Sequence, residues 1–145
     1  MNDEFVSYLN EIGMSSTLQE RVAKLHDEFI WIMPDAIERI FVTDYIHSED
    51  GRRYENLWFL SKNYCSEMKG FISNDNGDLI RTEGRVMYIE IKKENYDFRT
   101  TSDASRLSVA VAFSGASLRA ELKAARNNCE YLRIVIAEHF LPHFQ

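Results

Sequence analysis

The sequence predicts an α+β fold in one domain, residues 1–145, with two helices first, six or seven antiparallel strands in the middle and one helix last. Three observations carry that expectation. Apolar residues recur at helical spacing before Pro34, the period falls to two from residue 40 onward, and an amphipathic helical stretch follows Asn127-Asn128. The 145 residues suit a single core, and two prolines with six glycines leave no stretch that reads as a flexible linker. Residues 1–37 read as a helical extension, and residues 38–141 as the sheet with its final helix.

Phe5, Leu9 and Ile12 predict a short first helix stopped at Gly13. In the second, Ser16 with Gln19 or Thr17 with Glu20 offers a capping box, and Leu18, Val22, Leu25, Phe29 and Ile32 form one stripe until Pro34 forbids continuation. Ile40 to His47 and Tyr54 to Ser61 are rich in β-branched and aromatic residues, and Ser48-Glu49-Asp50-Gly51 between them has the composition of a hairpin turn. Tyr54, Trp58 and Leu60 alternate with Leu57 and Phe59, so both faces of that second strand are apolar and it belongs centrally in a sheet or between two layers. Tyr64 to Phe71 reads as a third strand. Residues 73–78 then form a polar loop, in which an EF-hand register fails because glycine falls at the fourth position.

Another strand begins near Arg85, and Leu107, Val109, Val111 and Phe113 alternate with the small residues Ser108, Ala110, Ala112 and Ser114 along the clearest strand of all. Residues 117–124 fit either a strand or the start of the last helix. The close turn Ser114-Gly115-Ala116 and the weak helix formers Asn127-Asn128 favour the strand, with a fresh helix from about Asn127 that ends before Pro142.

The net charge of −6 is local: residues 1–38 hold eight acids against Arg21 and Lys24, and the rest of the chain is balanced. An acidic surface repels phosphate-bearing partners, so neither nucleic acid nor a membrane or phosphoinositide is expected as a ligand. No apolar run approaches the roughly 18 residues a bilayer requires, and the acidic start is unlike a signal peptide, so a cytoplasmic protein is expected. Cys65 and Cys129 lack any zinc-binding spacing and are expected as reduced, buried thiols.

No catalytic motif, cofactor fingerprint or metal site is expected, and the chain does not read as an enzyme. His26 is attributed to surface polarity, His139 and His143 to a solvated C-terminus, and Trp31 and Trp58 to the core or its edge. Arg81, Lys92, Lys93 and Tyr96, interrupted by Glu83, Glu90 and Glu94, read as a solvated, charge-balanced sheet face.

The order of elements over residues 38–141 resembles the pleckstrin homology-like superfamily, in which a bent antiparallel barrel is plugged at one end by a final helix. That resemblance implies a PH-like barrel, to which the N-terminal helices are an addition. Lipid-binding members carry a lysine late in the first strand and a basic-x-basic triplet opening the second. At the matching positions stand His47 and Arg53-Tyr54-Glu55, preceded by Arg52, so one arginine fits and the rest departs. Many relatives bind peptides or protein domains instead.

The resulting expectation is a non-catalytic protein- or peptide-interaction module, with Glu20, Asp27, Glu28 and Trp31 as partner contacts and a protein, or a second copy, as partner. One alternative is a small acidic inhibitor that blocks a basic enzyme surface. Another is a ligand- or phosphate-binding barrel, with Arg52, Arg53 and Lys62 as anion contacts or a pocket near Asp44, Arg53 and Glu90.

Overall fold

The computed structural model describes residues 1–46, 52–82, 86–95, 105–114 and 119–143. Helix α1 (Asp3–Glu11) is capped by Asn2, whose side chain accepts from Phe5 N–H at 2.9 Å. It ends as the glycine predicts: Gly13 takes φ +81°, and the N–H groups of Gly13 and Met14 return to Asn10 and Leu9 carbonyls, satisfying two orphan acceptors. Helix α2 (Ser16–Phe29) starts one residue earlier than the expected capping boxes, because Ser15 is the cap and accepts from Leu18 N–H. It also stops at Phe29, five residues before Pro34.

Among the described residues seven strands follow: β1 (Arg39–Ile46), β2 (Arg52–Leu60), β3 (Tyr64–Lys69), β4 (Asp78–Arg81), β5 (Val86–Asn95), β6 (Ser105–Phe113) and β7 (Arg119–Ala125). All neighbours pair antiparallel, in a four-stranded sheet of order β1-β2-β3-β4 and a three-stranded sheet of order β5-β6-β7. The four residues of β4 escaped the sequence reading, since only Ile80 in that strand is buried and no alternation can develop. Residues 119–125 are a strand, as the turn chemistry favoured, whereas the turns at 47–51 and 115–118 lie outside the described residues.

The first sheet is buried on both faces. Register puts Ile40, Val42, Leu57, Phe59 and Met68 on one face, and α2 covers it: Phe29 and His26 lie 5.6 and 5.9 Å from the Phe59 ring. The opposite face, with Phe41, Trp58, Leu60 and Cys65, joins the inner face of the second sheet in one continuous core. This explains why β2 is apolar on both sides. Sheet two is one-sided, with Leu107, Val109, Val111 and Phe113 inward beside Ala120, Leu122 and Ala124, and Tyr88, Glu90, Lys92, Arg119, Glu121 and Lys123 outward.

Among the described residues no ladder closes the two sheets into a barrel. The edge strands β1 and β7 lie side by side and are stitched by side chains instead. A register shift between Val42 and Asp44 accompanies Asp44 turning into the seam, where its Oδ1 accepts from Ala125 N–H at 2.9 Å and from Asn128 Nδ2 at 3.0 Å. Asn128 Nδ2 also donates to the Val42 carbonyl, while its Oδ1 accepts from the Tyr8 hydroxyl at 2.9 Å. Val42 N–H donates to that hydroxyl oxygen, also at 2.9 Å. Three distant segments thus share one buried polar knot. The N-terminal helices are therefore part of the core rather than an outer addition.

Helix α3 (Asn128–Val135) runs on into a widened π turn (Ile136–Phe140) and a 3-10 turn (Leu141–His143) that passes over Pro142, beyond the expected stop. Neither asparagine at its start acts as a side-chain cap; Asn127 Nδ2 donates to the Glu11 carbonyl and Asn128 is buried. The π turn seats Phe140 against Phe113, with ring centroids 6.0 Å apart, and so closes one end of the two-sheet core.

Candidate interaction surface

Past Phe29 the backbone tightens. Both Ile32 N–H and Met33 N–H converge on the Phe29 carbonyl, at 2.9 and 3.1 Å, because Pro34 disfavours helical geometry for the residue before it. Met33 tucks inward and the three residues before it turn out: Ile30 is 44%, Trp31 86% and Ile32 58% exposed. Trp31 and Ile32 are thus not core residues, although the helical stripe places Ile32 there and the tryptophan was read as core or core edge. Trp58, fully buried, is the core tryptophan.

Glu20, Asp27 and Glu28 are exposed on α2; Glu20 and Asp27, seven residues apart, lie on the face opposite Val22, Leu25 and Phe29, Glu28 lies on its flank, and the protruding Trp31 follows just past the helix end. All four predicted partner contacts are thus exposed, on α2 or directly after it. Arg21 fixes the neighbouring loop by donating to the Phe71 and Asn74 carbonyls and pairing with Asp75. Asn74 Oδ1 accepts from Asn76 N–H within that loop, an Asx turn. The loop ends at Gly77, where a Cβ would stand 2.8 Å from the Phe29 ring. Ile72 (48% exposed) and Leu79 (39% exposed) are further exposed apolar side chains, one in this loop and one in the strand that follows it.

The predicted anion contacts are not gathered. Arg52 and Arg53 open β2, whereas Lys62 follows its other end, so about 25 Å of extended chain separates them. Asp44 and Glu90 do not converge either: Asp44 is used up in the seam, and Glu90 lies on the outer face of the second sheet. There the Tyr88 hydroxyl and Lys92 hold the Glu90 carboxyl below its usual range.

A polar cavity of about 190 Å³ exists elsewhere, lined by Thr43, Asn56, Glu67, Lys69, Arg119 and Lys123 among others. Glu67 is its deepest charge. Burial pushes its pKa up against the pull of Lys69, 3.9 Å away, and Asn56 Nδ2 donates to it at 3.0 Å. Nothing in the sequence marks this glutamate, which sits in a strand buried on both faces. Cys65 beside it is pushed up to about 12 by burial, so its thiol is unreactive; the Cys129 thiol is half-buried and donates to the Ala124 carbonyl.

No family model, curated protein or solved structure matches the chain. Two histidines correct the sequence reading. His26 is wedged 5.9 Å from both the Phe5 and Phe59 rings and is not a surface residue. His139 is 7% exposed, in register with Leu132, Val135 and Ile136 on the inward stripe of the last helix. No helix among the described residues is long and apolar enough to cross a membrane.

Proposed function

We propose that the chain is a non-catalytic protein-interaction module whose working face is the α2 side of the molecule, with Trp31 as anchor and a basic surface as partner. The observation that carries the reading is Trp31, 86% exposed between two exposed isoleucines. Leaving an indole and two branched side chains in water forfeits burial free energy, roughly 1.5 to 3 kcal/mol for each aliphatic residue. A tryptophan on such a ledge has the chemistry of an interface hot spot. Glu20, Asp27 and Glu28 beside it supply the negative potential that steers and orients a basic partner, which accommodates the acidic-inhibitor alternative within the same surface.

The division of seven strands into four and three, with a C-terminal helix at one end of the core, supports assigning the module to a pleckstrin homology-like architecture in which side-chain bonds across β1 and β7 stand in for ladder closure. Quantitative affinity capture with the whole chain tests the binding reading. A saturable partner whose affinity falls about 30-fold with Trp31→Ala and weakens with salt and with Glu28→Lys supports it. Capture unaffected by both substitutions overturns it. Trp31→Ala should leave thermal stability unchanged within about 0.5 kcal/mol, since the side chain contributes little to the fold.

A further inference from the structure

Strand β5 is the edge of the second sheet and, with ten residues, the longest described strand. Among the described residues it pairs only with β6. Alternate backbone N–H and C=O groups of such an edge face outward, ready to receive another strand. Its inner face carries Ile89 and Ile91 ahead of Lys93; Ile91 is 48% exposed and opens onto a groove of about 400 Å³ whose apolar floor of Leu107, Ile134, Ala137 and Leu141 is rimmed by Glu130, Arg133 and Glu138. Ile134 and Leu141 are themselves 37% and 43% exposed.

The charges on this strand say what covers it. Two copies related by a two-fold axis perpendicular to the sheet pair antiparallel and keep like faces on one side, so each residue must meet one of the same facing. Outward along β5 run Tyr88, Glu90, Lys92 and Glu94. A register centred on Glu90 or on Lys92 sets like charges directly opposite each other. Centring on Ile91 instead places Glu90 of each copy across from Lys92 of the other, Tyr88 across from Glu94, and Ile91 against Ile91 over the joined grooves.

We propose that the chain forms a homodimer by antiparallel β5–β5 pairing centred on Ile91, which extends the second sheet across both copies. The strand's charges, which on an edge ordinarily deter pairing, here disfavour the two adjacent registers while admitting the self-complementary one. The surface is distinct from the Trp31 ledge, so the two readings stand or fall separately.

Sedimentation equilibrium of the full chain tests it, with circular dichroism confirming that each variant is folded. The expected result is a two-chain mass at about 100 μM, with dissociation at least tenfold easier in Lys92→Glu and in Glu90→Lys. The double exchange, Glu90→Lys with Lys92→Glu, restores the pattern and the dimer, and Ile91→Lys abolishes it. A wild-type chain that stays monomeric up to about 500 μM overturns the proposal, as does a dimer indifferent to the single charge reversals, which would use another surface.

Discussion

His139 and Glu67 are both ionisable groups drawn into the protein, and their burial shifts them in ways that make opposite contributions to stability. Burial lowers the pKa of His139 in the folded chain; the nearby Arg39 guanidinium adds to that, while a hydrogen bond with the Ser61 backbone opposes it. The unfolded chain then takes up the proton first, so stability is lost as pH falls below about 6.5, the ordinary histidine value, toward the lower folded one. Glu67 is raised, so the folded chain protonates first and the charged side chain weakens the fold at neutral pH, a penalty that fades as pH falls toward the ordinary glutamate range. Urea unfolding from pH 4 to 8 should therefore show His139→Gln flattening the acid-side decline. Glu67→Gln, which keeps an oxygen for Asn56, should be at least as stable as wild type at pH 7 and lose that advantage near pH 4.5. A Glu67→Gln variant clearly less stable at pH 7 would mean that the carboxylate is better compensated than its 3.9 Å lysine implies.

At the scale of elements, the packing of α2 on the β3–β4 loop depends on a glycine without positive φ. Gly77 lies against Phe29, and an added Cβ would also come within 3.2 Å of Met68 Cγ. Because Phe29 is itself held against Phe59, the ring has little room to yield, and Gly77→Ala should cost about 1 to 3 kcal/mol in chemical denaturation. Gly70 has open space around its Cα, so Ala there pays only for φ +60°, about 1 kcal/mol. The comparison separates crowding from backbone strain. It also marks what sequence periodicity delivers: α1, α2 and β6 were legible because their apolar spacing is local, and Gly13 because a helix stop is local. Strand β4 was invisible because four residues cannot show a period. The burial of His139 had a signal, its place on the stripe of Leu132, Val135 and Ile136, that the polarity of histidine overrode. Asp44 and Tyr8 gave none, for their partners Asn128 and Val42 lie 84 and 34 residues away along the chain.

For the whole molecule, the question is whether residues 1–37 are an appendage or a layer of the core. The sequence suggested an appendage, since a sheet with its own final helix has the parts of a complete domain. Yet Ile40, Val42, Leu57, Phe59 and Met68, each at most 2% exposed, share the sheet face against which α2 packs. Stripping the helices would return these five side chains to water at roughly 1.5 to 3 kcal/mol apiece, about 10 kcal/mol together. That is comparable to the 5 to 15 kcal/mol by which a domain of this size is stable. The Asn128 side chain would also lose Tyr8, orphaning a buried acceptor at the seam between the sheets. A chain beginning at residue 38 should therefore lack a cooperative thermal transition and bind an apolar dye. If it instead melts cooperatively with native-like near-ultraviolet dichroism, the helices are dispensable, and the burial of that sheet face contributes far less than its area implies.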